Sequence, residues 1–396
     1  MKQSTNLLLA LLMIFAFSEN SEAQIWKRIK KKAEDAIVKE AGKEIDKTIN
    51  GETKKEGNEV DENGERISSD APNLWRNFRF IPGENVIFYD DLRFEETGEF
   101  PSRWDLVKGN AEVAELDGEK VIILTAASGN VITPLFETTD YLGDEFTIEY
   151  DILVPNFREE KIWWMNHDLY FDSKFYSKDV HIELREQLGK LNGWASNEKF
   201  KIENVEIGAQ NDWHHVSISY YKGKYKMYYD SRRISNLPKF DLKPNAFALN
   251  LNCHYGGKNS HPYLAIKNIR IAHGGGEMYR RIVADGKYVT NGIIFDSGKT
   301  EIKKQSLGII NKIVKILKEN IDWKFDIIGH TDNDGTDESN LKLSSERAEA
   351  VKKAIIDQGV EADRLTIIGK GETEPLNTNS TQEEKANNRR VAFVKK

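Results

Sequence analysis

Between Trp75 and Lys396 the spacing of apolar residues changes its rhythm at His273-Gly274-Gly275-Gly276. Before these glycines, short runs with every second residue apolar follow one another. After them, apolar residues three and four apart alternate with short apolar runs. A period of two lines one face of a strand, and a period near 3.6 lines one face of a helix. A chain that switches from one to the other is expected to build two cores of different class. The runs before the switch are VIFYDDL, EKVIIL, EFTIEYDILV, HHVSISYY, KYKMYYD, FALNLNC and YLAIKNIRIA. Many short strands separated by Gly, Pro and Asn or Asp predict an antiparallel β-sandwich over residues 75–273. Within Asn211–Ile234, Trp213 opens a strand, Lys222-Gly223 is a hairpin turn, and Tyr225, Met227 and Tyr229 share one face of the return strand.

After the glycines a connector over 274–287 leads to YVTNGIIFDSG. From Ser306 to Asn320, Leu307, Ile310, Ile313, Val314 and Leu317 have helical spacing. KFDIIGHT alternates as a strand, and LKLSSERAEAVKKAIIDQGV is a second helix ended by Gly359. RLTIIGKGE and RRVAFVK read as two more strands. Strands alternating with helices over residues 288–396 predict a small α/β sandwich.

The residues ahead of the strands indicate the compartment. Residues 1–23 carry Lys2, an apolar stretch from Leu7 to Phe17, and small residues at Ser21 and Ala23. They read as a secretory signal cleaved after Ala23. The apolar stretch is shorter than the roughly 20 residues a membrane span needs. Residues 24–50 repeat Ile25, Ile29, Ala33, Ile37, Ala41, Ile45 and Ile49 every fourth position, which predicts a charged helix with one narrow apolar stripe. Such a helix suits a partner helix or a membrane surface. Residues 51–74 are polar and rich in charge, and read as a flexible linker. Cys253 is the single cysteine, so an exported chain gains no internal disulfide and no cysteine-built zinc cage. With 31% charged residues and a formal net charge of -7, mixed in sign, the chain does not suit general nucleic-acid binding.

The stretch GHTDNDGTDESNLKLSSERA, Gly329–Ala348, gathers Asp332, Asp334, Asp337 and Glu338 ahead of a helix. An EF-hand with Gly335 at its sixth position would put His330 at position 1 and Leu341 at position 12, and neither supplies the needed oxygen. Acid/base catalysis needs carboxylates in two different environments, and these share one hydrophilic loop. His330, after Ile327-Ile328, reads as a structural histidine. Asp332 follows a strand end, and Arg347 lies about two helical turns after Asn340 and one after Leu343. A fixed carboxylate and a planar guanidinium can grip the two charges of a zwitterion. A plain Asp–Arg surface ion pair is the competing reading.

NGIIFDSG…GHTDNDG…N.KLSSERA…RLTIIGKGE.EP…NNRRV strongly resembles the OmpA-like peptidoglycan-binding domain, over about Tyr288 to Lys396. The resemblance implies that Asp332 and Arg347 hold the diaminopimelate unit of a peptidoglycan stem peptide. It also implies that Phe295, Asp296, Asn340, Leu343 and one of Arg389 and Arg390 line the same pocket. Diaminopimelate carries an ammonium and a carboxylate on one carbon, which is the zwitterion that Asp332 and Arg347 suit. Asp337 and Glu338 then read as a solvated rim. Diaminopimelate implies a Gram-negative type of wall, and so a protein in the periplasm or at the outer membrane, with peripheral membrane association through the N-terminal helix or a partner. No cofactor or metal is implied.

The WHHV…G…Y hairpin and IKNIRIA resemble the concanavalin A-like, laminin-G-like jelly-roll superfamily, which implies a glycan or an envelope protein as partner for residues 75–273. Trp163, Trp164, His167 and Tyr170 in KIWWMNHDLYF form a candidate sugar-stacking platform. The phrase Glu149-Tyr150-Asp151 lacks the further carboxylate of the glycosidase strand, so the expectation is a protein that is not an enzyme. A wall-tethered glycan hydrolase and a structural component of an envelope machine are the alternatives.

Overall fold

The computed structural model describes residues 78–396 apart from 126–128, 175–180, 188–189, 196–200, 207–209, 241–242, 257–262 and 277, all within one compact unit. The expected export signal, charged helix and linker lie outside the described residues.

The first domain is made of β1 (Asn85–Asp90), β2 (Trp104–Lys108), β3 (Ala111–Leu116), β4 (Glu119–Thr125), β5 (Asn130–Pro134), β6 (Glu145–Val154), β7 (Ile162–Tyr170), β8 (His181–Gln187), β9 (Lys190–Ala195), β10 (Lys201–Glu206), β11 (Asp212–Tyr221), β12 (Lys224–Tyr229), β13 (Arg232–Leu237), β14 (Ala248–Tyr255) and β15 (Tyr263–His273). One sheet has the order β13-β12-β11-β6-β15-β4-β3, with β1 also paired to β15. The other has the order β10-β9-β8-β7-β14-β5-β2. The pairings within both sheets are antiparallel. Ile148, Tyr150 and Ile152 of β6 and Ile218 of β11 share a core with Met165 and Leu169 of β7 and Leu249 and Leu251 of β14. Each sheet therefore turns an apolar face to the other.

Each of the seven runs read from the period of two forms a strand. Lys222 and Gly223 both have positive φ, 46° and 82°, between the paired Tyr221 and Lys224. That is the two-residue geometry that matches strand twist. Tyr225, Met227 and Tyr229 are buried in the shared core, as their alternation requires.

The second domain contains α1 (Met278–Asp285), β16 (Lys287–Thr290), α2 (Leu307–Glu319), β17 (Phe325–Gly329), α3 (Asp337–Ile356), β18 (Leu365–Gly369), α4 (Gln382–Asn388) and β19 (Val391–Lys395). Its sheet has the order β16-β19-β17-β18. β17 and β18 are parallel, and β19 is antiparallel to both β16 and β17. The segment read as a connector holds α1, whose Met278 and Ile282 are buried in the second core. Eight residues are shorter than the window over which a helical period can be read.

α3 starts four residues before the stretch read as a helix. Thr336 caps it: its Oγ1 accepts from the Ser339 main-chain N at 3.2 Å, and Ser339 Oγ accepts from the Thr336 main-chain N at 3.1 Å. Asp337 and Glu338 therefore belong to the first helical turn, where negative charge complements the exposed N–H groups. They are not a rim of the preceding loop. Gly329 and Gly369 pair in register at the ends of β17 and β18. A Cβ on either would collide with α3, on Ser344 or Ser345 respectively, so the bare glycines let the helix backbone lie against the sheet.

The two domains are bonded to each other. Arg270 of β15 is buried and pairs through Nη1 with Glu149 Oε1 at 2.7 Å. Its Nη2 donates to Gly83 O and to Oδ1 of Asn291, beyond β16. Phe78 and Phe80 pack on Tyr228 of β12, with ring centroids 5.5 and 5.8 Å away, and Leu307 of α2 packs against the same group.

Candidate functional site

Asp332 follows β17 and Arg347 lies on the third turn of α3, both with less than a tenth of their surface exposed. Arg347 donates from Nε to Lys299 O at 3.0 Å and from Nη2 to Asp296 O at 3.1 Å. Its guanidinium lies 4.9 Å from the ring centroid of Phe295. Burial lowers its pKa, Asp332 raises it, and the nearby Arg389 charge lowers it again. Among the described residues no carboxylate forms a salt bridge with Arg347. A desolvated guanidinium held only by carbonyls and a ring is suited to receive an outside carboxylate.

The carboxylate of Asp332 is shared differently from the simple Asp332–Arg347 ion pair. Arg389 Nη1 donates to Asp332 Oδ2 at 2.6 Å. Asp332 Oδ1 accepts a long bond from the Asp334 main-chain N at 3.3 Å. A carboxylate oxygen has two lone pairs, so Oδ1 keeps capacity for a donor. Asn340 is buried, and its Nδ2 reaches Asp332 O at 3.3 Å and Glu372 Oε2. It holds the loop main chain in place. Leu343 is half-buried on α3, one turn before Arg347.

Two expected pocket residues do not present their side chains there. The Asp296 carboxylate turns to Lys303 Nζ at 2.6 Å and Lys299 Nζ at 3.2 Å, and these bonds, Lys303 first, lower its pKa. Asp296 serves the site through its carbonyl on Arg347. Arg390 is buried and donates to Glu374 O at 2.7 Å, a fold contact, whereas Arg389 supplies the pocket guanidinium. The change from helix to strand separates these neighbours: Arg389 is the C-cap of α4, and Arg390 directly precedes β19. His330 is buried, and burial and the Arg390 charge pull its pKa down to about 4, so it is neutral near pH 7. Its Nδ1 has no hydrogen-bond partner, so its polar groups are only partly matched.

Tyr89, Arg93 and Lys385 lie close to the same loop. Arg389 lies 5.1 Å from the ring centroid of Tyr89 of β1. Lys385 of α4 donates to Asp334 Oδ1, and Arg93 Nη1 stands 3.7 Å from Asp334 Oδ2. No local spacing links Tyr89 or Arg93 to residues some 240 to 300 positions later, and nothing in the sequence marks them.

The aromatics of β7 divide. Trp163 is 56% exposed, and its ring centroid lies 4.9 Å from that of His254. Trp164 stacks on His254 at 5.3 Å, with Arg185 4.9 Å from its ring centroid. The β7–β14 register shifts between His254 and Tyr255, which gathers two consecutive tryptophans around one histidine. Tyr170 lies six residues from Trp164, about 20 Å along the strand, so it does not extend this group. His167 faces the core, fully buried against the Tyr150 hydroxyl, and burial takes its pKa down to about 3. It is not part of a surface platform. Cys253 is buried, and burial pushes its thiol up to about 12. Among the described residues no group of three or more His, Cys, Asp or Glu converges as a metal set would, and no helix is long and apolar enough to cross a membrane.

The fold sets antiparallel sheets ahead of a small α/β domain, in which Asp332 follows a strand end and Arg347 lies on the neighbouring helix. Residues 294–389 match the model of the OmpA family, so this part of the chain is an OmpA family domain. Over 104 residues the chain is 39% identical to the probable lipoprotein YiaD of Escherichia coli, covering 26% of this chain and 48% of that protein. Over 107 residues it is 35% identical to the peptidoglycan-binding protein ArfA of Mycobacterium tuberculosis, covering 27% of this chain and 33% of that one. The chain thus spans half or less of the length of these relatives. The solved peptidoglycan-associated lipoprotein of Burkholderia pseudomallei aligns at 29% identity and a TM-score of 0.25, over 26% of this chain and 88% of that one.

Proposed function

We propose that the protein binds peptidoglycan non-covalently, with the ammonium and carboxylate of one diaminopimelate centre held between Asp332 and Arg347. The observation that carries this reading is the state of Arg347: buried, held by two carbonyls, and without a carboxylate in a salt bridge among the described residues. The ligand carboxylate meets this guanidinium, and the ligand ammonium meets Asp332 Oδ1. The similarity to a peptidoglycan-binding protein over this domain supports peptidoglycan as the ligand. The protein acts without catalysis in the periplasm or at the outer membrane. The full chain is expected to co-sediment with insoluble peptidoglycan and to be displaced by a soluble diaminopimelate stem peptide. Asp332→Ala and Arg347→Ala are each expected to weaken co-sedimentation about tenfold or more, because each leaves a charge unmatched. Native sedimentation by both variants would overturn the site.

A second binding surface on the first domain, which we read as concanavalin A-like, is favoured by Trp163, Trp164 and His254 with Arg185 beside them. Exposed aromatic faces stack on sugar rings. A glycan is therefore the proposed ligand, with an envelope protein as the alternative. A glycan screen on the full chain, repeated with Trp163→Ala, tests it; no glycan retained, or equal retention by the variant, sinks it.

A further inference from the structure

We infer that the wall-binding pocket is shared by both domains, with Tyr89 of the first domain a positioning residue that sets Arg389 against Asp332. This inference rests on the reading of the Asp332–Arg347 pocket as the peptidoglycan site.

The docking that brings Tyr89 there is specific. α4 covers β1, which pairs with β15 on one side. Asn387 treats Val86 as a strand partner would: its Oδ1 accepts from Val86 N at 2.9 Å, and its Nδ2 donates to Val86 O at 3.0 Å. Glu383 Oε1 accepts from Tyr89 N at 3.0 Å and pairs with Arg103. Ala386 is buried with Val86 and Ala272, and Tyr89 packs against them. Val86 and Tyr89 are thus each fixed to α4 through their main chain, three residues apart.

The residue that ends α4 is Arg389, so this docking sets its starting point. From there its guanidinium spans from the Tyr89 ring, 5.1 Å away, to Asp332 Oδ2, 2.6 Å away. A ring face attracts a guanidinium and tolerates its planar stacking, which an aliphatic side chain cannot reproduce. The arrangement occupies Oδ2 of Asp332 and directs Oδ1 away from Arg389. The same loop meets the first domain again where Arg93 faces Asp334. Ring, guanidinium and carboxylate form one chain of contacts, and its first member lies about 240 residues before its last.

The test is a double-mutant cycle on the full chain, read as the affinity for a soluble diaminopimelate-containing muramyl tripeptide, with thermal unfolding recorded for each variant. Tyr89→Leu is expected to weaken binding about fivefold, and Tyr89→Phe to bind as the native chain does. In an Arg389→Ala background, Tyr89→Leu is expected to cause no further loss, because Tyr89 acts only through Arg389. Native affinity for Tyr89→Leu, or an equal loss in both backgrounds, overturns the inference. An Asp332→Ala loss beside native affinity in Tyr89→Leu overturns it while leaving the pocket assignment standing. An Asp332→Ala variant that binds natively overturns both.

Discussion

Asp332 is bonded to Arg389, through Nη1 to Oδ2 at 2.6 Å, and not to the arginine fifteen residues later on α3. Two guanidiniums thus flank one carboxylate, and only one is neutralised by it. The other, Arg347, forms no salt bridge with a carboxylate among the described residues, and it is the group we propose for an outside anion.

Arg389→Ala is expected to weaken peptidoglycan binding by about threefold to tenfold, less than Asp332→Ala does. It removes a charge-assisted bond worth about 1.5–3 kcal/mol but leaves the carboxylate that meets the ligand. Parallel co-sedimentation curves at one salt concentration decide the order, and a larger loss in Arg389→Ala contradicts it.

Arg347→Lys is expected to bind almost as poorly as Arg347→Ala. Arg347 uses Nε and Nη2 on the carbonyls of Lys299 and Asp296 and still presents a planar edge. An ammonium cannot span both carbonyls and offer a two-pronged edge as well. Full recovery of affinity by Lys would show that charge alone matters at this position.

Arg270→Ala is expected to destabilise the chain by about 3–5 kcal/mol, because it leaves the buried Glu149 carboxylate with only the more distant His215, 3.7 Å away. It also removes the bonds to Gly83 and Asn291 that join the domains. Denaturant unfolding measures the cost, and a change below about 1 kcal/mol would mean that Glu149 is relieved by other groups.

Stability is expected to fall as pH rises from neutral to about 10. Burial opposes charge on His215, but its hydrogen bond to Asp151 at 2.7 Å and the Glu149 carboxylate 3.7 Å away outweigh burial and push its pKa up to about 10. An unfolded histidine loses its proton near pH 6.5. Between those values the folded chain holds more protons, so its stability declines with rising pH. The melting temperature of the native chain should drop over this window, and His215→Gln should flatten the drop. Equal slopes would exclude His215 as the cause.

The elements legible in the sequence are those whose pattern is local. β6 and β15 were visible as alternating runs, the Lys222-Gly223 turn as a break between two such runs, and α2 as a row of apolar residues at helical spacing. α1 was not legible, because its two buried residues have a meaning only once the sheet they rest on exists. The start of α3 was hidden for a different reason: Thr336 and Ser339 cap each other without the acidic or amide residue that usually marks the reciprocal cap. At the site, Asp332 and Arg347 stand out in the sequence because a strand end and a helix face fix them within a short stretch. The direction of the Asp296 side chain, and the choice of Arg389 over Arg390, depend on which neighbour each backbone turns towards, and that is set at distance.

By itself, then, the sequence determined the two kinds of layer, the order of their principal elements, and one acid and one base held by neighbouring elements, because periodicity and capping act within a few residues. Tertiary structure alone decided that Asp332 pairs with Arg389, that Arg347 forms no salt bridge with a carboxylate of its own chain among the described residues, and that Tyr89 stands beside the pocket. These relations join residues tens to hundreds of positions apart. They arise only when β1 docks on α4 and α3 closes on the glycines of β17 and β18, since an ion pair or a ring contact is chosen by distance in space and leaves no period in the chain.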